Sequence, residues 1–327
     1  MPRTLITGIT GQDGSYLADL LLEKGYDVHG VVRPGQTLER TRLKHLASVA
    51  SGDGRKLFLH EAALEDSVGL KHIITRVALD ELYHLASMTH VGLSFEQPET
   101  TCDLTGMGTL RVLEIIRALP KPPRFLHASS SEVFGKPEIA PQDENTSFRP
   151  VTPYGCAKAF ATQMTSVYRQ SHGLFACNAI LFNHESPRRG DNFVTQKICR
   201  AAAAIKLGRQ SELVLGTITS LRDWGHARDY VRGMWLMLQQ DKPSDYVLAT
   251  GELHTVQEVI ELAFETVGLD WKQFLKQDPR FMRPSEPSQL VGNPAKAKRE
   301  LNWQPTISFK ALIVEMTRTA LETKTTD

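Results

Sequence analysis

Tyr154 and Lys158 stand four residues apart, a spacing that places two side chains on one face of a helix. A phenol has an ordinary pKa of about 10, which is too high for a base at neutral pH. A nearby positive charge favours the phenolate and lowers that pKa. The pair could therefore remove a proton from an alcohol while a hydride leaves the same carbon. The turn Pro150-Val151-Thr152-Pro153 directly before Tyr154 is typical of a helix start.

Three serines and a carboxylate, Ser129 to Glu132, lie at the end of another strand-like segment, Arg124–Ser129. Ser130 could donate a hydrogen bond to a reacting hydroxyl, and Glu132 could act as a general acid and base. Parallel sheets place ligands at the carboxyl ends of their strands, which is where these residues would lie. The alternative interpretation is a capped loop in which the serine hydroxyls bind backbone groups.

Three glycines, Gly8, Gly11 and Gly14, follow the first strand-like segment and begin an amphipathic one. Gly8 would permit a tight turn, Gly11 a close approach of backbone N–H groups to a pyrophosphate, and Gly14 close packing of helix on strand. Turns use glycine for many reasons, but the position between strand and helix is the expected context for this motif. The pattern predicts a dinucleotide site. Its loop also contains Thr10, Gln12 and Asp13.

The second strand-like segment ends at Arg33, where an NAD site usually has an acidic residue. A guanidinium could instead pair with the 2′-phosphate of NADP. This residue favours NADP over NAD, the alternative being a solvated surface arginine.

Strand-like and helical segments alternate along the first half of the chain, which predicts a parallel sheet with helices on both faces. The predicted strands are 4–7, 28–33, 57–60, 81–86, 124–129, 175–182 and 246–250. The predicted helices are 15–24, 67–77, 100–118, 154–172, 192–207, 229–240, 293–301 and 309–322, and 278–294 reads mostly as a loop. We therefore expect an α/β fold with a Rossmann-type doubly wound sheet and a smaller, interleaved C-terminal substrate domain.

The composition excludes several classes of protein. The 327 residues contain 38 Lys and Arg and 37 Asp and Glu, a balance that argues against a basic nucleic-acid binder. No apolar segment is long enough to span a bilayer, and residues 1–6 lack the pattern of a signal peptide. The four cysteines are widely spaced, so we expect neither disulfides nor a metal site but four buried thiols in the reducing cytoplasm.

These motifs resemble those of the extended short-chain dehydrogenase/reductase family and, more narrowly, of its GDP-mannose 4,6-dehydratases. The resemblance covers nearly the whole chain and is most specific at residues 183–190. It is carried by residues 8–17, 129–132, 154–158, 181–190, 222–227 and 292–297.

The resemblance implies an internal redox cycle on a GDP-sugar with NADP as the cofactor. Tyr154 would deprotonate the C4 hydroxyl, and Lys158 would hold the nicotinamide ribose and tune Tyr154. Glu132 would remove the C5 proton so that the C6 hydroxyl leaves as water, which separates dehydration from plain oxidation. Ser130 keeps the hydroxyl of the family's usual threonine. The expected product is a 4-keto-6-deoxy sugar nucleotide.

The resemblance also implies the binding residues and the domain boundaries. The cofactor would contact Gly8, Thr10, Gly11, Gln12, Asp13, Gly14, Arg33, Leu64, Leu85, Tyr154, Lys158, His184 and Arg189. The substrate would contact Ser87, Glu132, Asn183, Glu185, Ser186, Asn192, Val194, Lys197, Arg222, Arg283 and Glu286. Residues 1–183 and 222–252 would form the cofactor domain, and 184–221 and 253–327 the sugar-nucleotide domain. A homodimer or homotetramer is expected.

The sequence departs from the family's usual pattern at several positions. Ala63 replaces an aspartate that meets adenine, and Pro34 replaces a second arginine, so use of NAD becomes conceivable. Met88 replaces an amide near the cofactor or substrate, and Pro287-Ser288 replaces a Val-Asp pair. These changes line the expected sugar end and leave open whether the sugar is a hexose or a heptose. The alternatives are a GDP-manno-heptose 4,6-dehydratase, a GDP-sugar epimerase or 4-ketoreductase, and a non-enzymatic NADP-binding regulator.

Overall fold

The computed structural model describes residues 1–38, 41–51, 56–281 and 289–323. Arg283 and Glu286, two of the expected substrate residues, lie outside the described residues. The strands are β1 Arg3–Thr7, β2 Asp27–Val32, β3 Leu57–Glu61, β4 Glu81–His84, β5 Arg124–Ala128, β6 Ala176–Leu181, β7 Asn183–Glu185, β8 Leu213–Leu215, β9 Leu221–Arg222, β10 Trp224–His226, β11 Tyr246–Leu248, β12 His254–Thr255 and β13 Leu275–Gln277. The helices are α1 Gln12–Glu23, α2 Ser67–Val77, α3 Val91–Glu96, α4 Pro98–Cys102, α5 Gly108–Arg117, α6 Pro153–His172, α7 Val194–Lys206, α8 Ala227–Leu238, α9 Val256–Thr266, α10 Ala295–Leu301 and α11 Phe309–Glu322.

Seven strands form one sheet in the order β11-β6-β5-β4-β1-β2-β3, and every pair in it is parallel. The strand order reverses direction beside β1, which is the crevice where doubly wound sheets bind ligands. The α/β fold expected from the sequence is confirmed. The strands are apolar on both sides because helices cover both faces of a parallel sheet.

Two apolar cores lie on the two faces of this sheet. Ile6, Tyr83 and Leu126 face the core that includes residues of α1 and α8. Leu5 and Phe125 face the other core, which includes residues of α2, α5 and α6. The alternation places the side chains of neighbouring residues on opposite faces. As a result α6, the helix that carries Tyr154 and Lys158, lies on the Leu5 face.

A separate apolar core joins α7, α9 and α11 to β8 and to Trp224. Most of this second unit comes from residues 184–221 and 253–327, but Trp224 lies outside those ranges, and the domain boundaries stay a prediction. One part of the second range packs elsewhere. Ala297 and Leu301 of α10, together with Trp303, lie in the core beside the sheet instead. The reason is a hydrogen bond of 2.7 Å from the Trp303 indole to the carbonyl of Asp229 on α8.

Several local expectations are wrong. The helix expected over 100–118 is divided into α4 and α5 by a π-helical turn at Asp103–Met107. Cys102 and Cys156 are exposed rather than buried, and all four cysteines are free thiols. The sequence analysis missed α3 and α9. Among the described residues, no helix is long and apolar enough to cross a membrane.

Candidate active site

The glycine-rich turn connects β1 to α1 at the crevice of the sheet. Gly8 has a φ of +73°, and a Cβ on it would lie 2.9 Å from the Ala86 backbone beyond β4. A Cβ on Gly14 would lie 2.3 Å from the Gly8 carbonyl oxygen. The Gly11 N–H donates to that same carbonyl at 2.9 Å and closes the turn. Only glycine fits at Gly8 and Gly14, and the backbone N–H groups at the start of α1 could bind an anion.

Asp13 and His184 form a mostly buried pair across the crevice. His184 Nε2 lies 2.8 Å from Asp13 Oδ2, and its Nδ1 lies 2.7 Å from the Phe182 carbonyl. Burial acts to raise the pKa of Asp13, but the charge and hydrogen bond of His184 outweigh it, and the pKa is lowered. Burial likewise acts to lower the pKa of His184, but Asp13 raises it. The two expected cofactor residues therefore hold each other in place.

Gln12 links the same turn to the segment that follows β7. Its amide nitrogen donates to the His184 carbonyl at 3.0 Å, and its amide oxygen accepts from the Ser186 hydroxyl at 2.8 Å. Ser186 is fully buried. Its side chain therefore positions the glycine-rich turn against residues 183–190.

Tyr154 and Lys158 lie in the first turns of α6. The helix begins after Thr152, whose side chain accepts a hydrogen bond from the Gly155 N–H at 2.9 Å. Both functional side chains are buried, and Lys158 Nζ lies 5.9 Å from the centre of the Tyr154 ring. Lys158 Nζ also donates to the Ala128 carbonyl at the end of β5, at 2.5 Å. The sequence spacing thus places both groups at the carboxyl end of the sheet.

The surroundings shift both pKa values. Burial raises the pKa of Tyr154 to about 12, although a hydrogen bond with Ser130 acts in the opposite direction. Burial lowers the pKa of Lys158 to about 7, against the attraction of the Asp13 carboxylate. Strong shifts in a crevice are typical of functional groups.

Glu132 lies in the short 3-10 turn Ser131–Val133 that follows β5. Its backbone N–H donates to the Ser130 hydroxyl at 3.2 Å. Its carboxylate is near enough to raise the pKa of Tyr154. A Cβ on Gly155 would lie 2.7 Å from the Glu132 carbonyl oxygen, so glycine lets the turn pack closely on α6. The structure therefore brings Ser130, Glu132, Tyr154 and Lys158 together.

Glu185 and Arg189, which were expected to contact substrate and cofactor, form an ion pair with each other. The Glu185 carboxylate is buried, accepts from the Thr195 hydroxyl at 2.6 Å and lies 3.1 Å from Arg189 Nε. The Arg189 guanidinium stacks 3.5 Å above the centre of the Phe193 ring. Glu185 thus fixes Arg189 in position. The expected contact of Glu185 with the sugar stays a prediction.

The remaining substrate residues lie on the second unit and the strands beside it. Lys197 Nζ donates to the Val214 carbonyl of β8 at 2.8 Å, and Arg222 Nη1 donates to the Leu221 carbonyl at 2.7 Å. Asn183 lies in β7 opposite Trp224 of β10. Asn192 and Val194 are exposed at the start of α7.

Four expected residues, Arg33, Leu64, Leu85 and Ser87, follow the ends of sheet strands. Arg33 is exposed directly after β2, and the Leu85 N–H donates to the Thr7 carbonyl at 3.2 Å. In the described part of the chain, the buried hydroxyl of Ser87 has no hydrogen-bond partner. Leu64 lies within 3.6 Å of the position of a Cβ on Gly108 of α5. Their cofactor and substrate contacts stay predictions.

A cationic cavity of about 490 Å³ adjoins the glycine-rich turn. Arg42 crosses it, donating to the Thr10 carbonyl at 3.1 Å and to the Arg188 carbonyl at 2.6 Å. Burial lowers the pKa of Arg42, and three neighbouring arginines add to this effect. The sequence analysis did not find this cluster, because Arg42 follows an irregular segment and Arg200 lies far along the chain. The lining residues are Thr10, Gln36, Thr41, Arg42, Pro187, Arg188, Arg189, Asp191 and Arg200.

Comparison with known proteins shows which family the chain belongs to. The family model described as GDP-mannose 4,6 dehydratase matches residues 5–316. GDP-mannose 4,6 dehydratase 1 of Arabidopsis thaliana is 47% identical over 97% of this chain and 89% of its own.

Two solved structures share the fold at 22% identity. The dTDP-glucose 4,6-dehydratase DesIV of Streptomyces venezuelae, with NAD and TYD bound, has a TM-score of 0.84 and covers 98% of this chain and 97% of its own. RMD of Pseudomonas aeruginosa, complexed with NADPH, has a TM-score of 0.79, and the match covers 99% of this chain and 100% of its own. By the family model and its Arabidopsis relative, the chain belongs to the GDP-mannose 4,6 dehydratase family.

Proposed function

We propose that this protein is a GDP-mannose 4,6-dehydratase that forms a 4-keto-6-deoxy sugar nucleotide by internal oxidation, loss of water and reduction. The observation that carries the proposal is the position of Glu132 beside Tyr154, whose pKa its charge raises. A plain oxidation needs only the tyrosine and the lysine, whereas elimination also needs an acid and base at C5 and C6. The names of the relatives support the same reaction and substrate.

A nicotinamide dinucleotide fits the residues present. A side chain at Gly8 or Gly14 would collide with neighbouring backbone, so these glycines keep the turn in the shape that suits a pyrophosphate, and the arginines beside Thr10 suit phosphate oxygens. Gly11, Gln12 and Arg189 would contribute to this site, and Leu64 and Leu85 would border the adenine and ribose. When bound, an oxidised nicotinamide supplies a hydride acceptor, regenerated within the cycle, and a positive charge that favours the phenolate of a neighbouring tyrosine.

Tyr154 would take the proton of the C4 hydroxyl on its phenolic oxygen. Ser130 is near enough to this phenol to act on its pKa, so it would be placed to bind the same sugar oxygen. Lys158 would orient the cofactor ribose with the N–H groups left after its bond to the Ala128 carbonyl. Burial of Tyr154 and Lys158 keeps bulk water from these proton transfers.

Glu132 would act once the C4 carbon is a ketone. The ketone acidifies the C5 hydrogen, and the carboxylate takes that proton. The same group then gives its proton to the C6 oxygen, which leaves as water. Because the proton removed from C5 leaves with the C6 hydroxyl, one carboxyl group serves both halves of the elimination.

The substrate would lie between the sheet and the second unit. Asn183, Glu185 and Ser186 would border the sugar, with Ser87 on the opposite side. Arg222 would pair with the diphosphate, since a planar guanidinium matches phosphate oxygens. Asn192, Val194 and Lys197 would border the guanine base.

We favour NADP over NAD as the cofactor. Arg33 is exposed directly after β2, and none of the described residues 34–38 of the adjoining turn is acidic. Gln36 of this turn lines the cavity that also contains the arginine side chains. An extra phosphate on the ribose would therefore meet positive charge rather than a carboxylate.

Self-association is proposed through the π-helical turn Asp103–Met107 and α6. Met107, Phe160 and Val167 are exposed there, with 42%, 39% and 44% of their surfaces accessible. A Cβ on Gly106 would lie 3.2 Å from Phe160, so the π-helical turn and α6 form one continuous surface. Exposed apolar residues on packed helices suit an interface between copies of the chain.

The test is mass spectrometry of the reaction with GDP-mannose and NADP⁺. A product that has lost one water and carries a 4-keto group is expected. Turnover of GDP-manno-heptose alone would move the substrate to the heptose. An isomerised or reduced product without loss of water would support an epimerase or 4-ketoreductase instead. Binding of cofactor with no turnover of any GDP-sugar would support a regulator.

A further inference from the structure

Four polar side chains form a row across the middle of the sheet. The register pairs Thr7 of β1 with His84 of β4, His84 with His127 of β5, and His127 with Asn178 of β6. Residues paired in register point to the same face of a sheet. All four are buried, so two imidazoles lie side by side in the interior.

The Nδ1 atom of each imidazole has a partner on the strand that flanks the pair, β1 or β6. His84 Nδ1 lies 2.8 Å from the Thr7 hydroxyl, and His127 Nδ1 lies 3.0 Å from Asn178 Oδ1. The Asn178 amide nitrogen donates to the Thr162 carbonyl and to Asp245, so its oxygen is the acceptor facing His127. His127 Nδ1 therefore carries the proton, and in a neutral ring its Nε2 is an acceptor.

Because each Nδ1 atom points to a flanking strand, each Nε2 atom lies on the side of its ring nearer the other histidine. Nδ1 and Nε2 lie on opposite sides of an imidazole, and the Nδ1 atoms of His84 and His127 point toward β1 and β6. In the part of the chain that the structure describes, neither Nε2 atom has a hydrogen-bond partner. The ring centres are 6.4 Å apart, too far for a direct bond between the nitrogens, but one atom with two hydrogen bonds of about 2.9 Å would span the gap.

A buried polar atom without a partner costs about 1–3 kcal/mol. Buried water molecules commonly satisfy such atoms when two or more polar groups converge. His84 and His127 supply two convergent nitrogens on the face of the sheet that α6 covers. One water molecule is the smallest ligand that bonds to both.

Lys158 of α6 is the charged group that acts on this pair. Burial lowers the pKa of His84 to about 3 and that of His127 well below its ordinary value, and the Lys158 charge lowers both further. Both rings are therefore neutral at neutral pH. Lys158 donates one of its three N–H groups to Ala128, which leaves others for a partner beneath it.

We propose that His84 and His127 together bind one water molecule that accepts a hydrogen bond from Lys158, which makes the two histidines positioning residues for that lysine. The water-binding site follows from the geometry of the row alone. Its effect on turnover rests on the proposed function. A hydrogen bond to an ammonium favours the charged form, so the site would keep Lys158 protonated to a higher pH.

The first test is a high-resolution crystal structure of the wild-type protein. An ordered water within about 3.2 Å of both Nε2 atoms is expected. Direct contact between the rings, or a protein atom in that position, would overturn the proposal. This result does not depend on the reaction, so it stands even if no GDP-sugar is turned over.

The second test is the pH dependence of kcat for the dehydration. His127→Leu removes one water ligand, and we expect its alkaline limb to move to lower pH by about one unit, with kcat on that limb falling about tenfold. His127→Gln keeps a polar group and should restore most of the wild-type profile. If the leucine variant does not fold, a glutamine variant with an unshifted profile and the crystallographic water carry the test.

The matched control is His29→Leu on β2, a half-buried histidine of the same sheet face that bonds to His60 at 2.9 Å. Its pH profile should equal that of the wild type. An unshifted profile in His127→Leu, or an equal shift in His29→Leu, contradicts the positioning role.

Discussion

Asp13 and His184 lie 171 residues apart in the sequence and are joined by a hydrogen bond of 2.8 Å. Asp13 lies in the first turn of α1, whereas His184 lies in β7 beyond the seven-stranded sheet. The Tyr230 ring stacks on the imidazole with centres 4.6 Å apart. The pair therefore joins the predicted cofactor turn to the predicted substrate segment.

Replacing Asp13 by Asn should destabilise the protein, because it leaves a buried imidazole without its counter-charge. We expect the free energy of unfolding at pH 6 to fall by about 2 kcal/mol, measured by urea denaturation. Asp278→Asn is the control, since its pair with Arg280 is exposed and such pairs contribute little.

The same variant should show a defined pH dependence. The Asp13 pKa lies below its ordinary 3.8, so its contribution is present above that pH and is lost in acid. The His184 pKa lies above its ordinary 6.5, so its contribution is full below 6.5 and is lost as the pH rises through the folded value. The stability difference should peak between these limits. A difference that does not change from pH 5 to 9 would contradict the ion pair.

Glu132→Gln should abolish dehydration while leaving the cofactor site intact. The amide cannot take the C5 proton, so we expect kcat to fall by about 10²–10⁴-fold. Mass spectrometry of the product and titration of cofactor binding measure the two effects. Glu138→Gln is the matched control, because that exposed carboxylate contacts Arg149 away from Tyr154. Full dehydration by the Glu132 variant would assign the elimination to another residue.

Arg33→Ser should reduce discrimination between the two nicotinamide cofactors. We expect the Kd for NADP⁺ to rise about tenfold, with little change for NAD⁺, because only NADP⁺ has a phosphate for the guanidinium to bind. Fluorescence titration with both cofactors measures this. Arg76→Ser, an exposed arginine at the end of α2, should change neither value. Equal weakening of both cofactors would mean that Arg33 supports the fold of the turn instead.

The sequence predicted the sheet well because its strands are buried on both faces and appear as continuous apolar segments. It predicted the position of Tyr154 and Lys158 because helical spacing and a preceding turn are local features. The α9 helix was missed although a local signal exists. Thr255 and Glu258 form a capping box, in which Thr255 Oγ1 accepts from the Glu258 N–H at 3.1 Å and the Glu258 carboxylate accepts from the Thr255 N–H at 2.6 Å.

Other parts of the site depend on contacts between distant segments and could not be predicted from spacing. Arg42 reaches the glycine-rich turn only because residues 41–46 fold back over α1, where Leu43 and Leu46 are buried. Glu185, which holds Arg189, lies in β7, and β7 pairs with β10 some forty residues further along the chain. Cys102, which is exposed, is the last residue of α4 directly before the π-helical turn, and the residue spacing gives no signal for this interruption of the helix.

Lys158→Met should make the protein inactive but more stable. Burial lowers the Lys158 pKa from its ordinary 10.5 to about 7, so at lower pH the fold must hold a buried charge. Between pH 7 and 10.5 the unfolded chain binds a proton that the folded protein does not, so wild-type stability rises across that range. We expect the methionine variant to be about 1–2 kcal/mol more stable at pH 6, with the gap closing toward pH 10. Urea denaturation at several pH values measures it, and Lys121→Met, at an exposed lysine, is the control. A methionine variant that is less stable than the wild type at pH 6 would contradict the prediction. It would mean that the interactions of the Lys158 ammonium outweigh the cost of burying its charge.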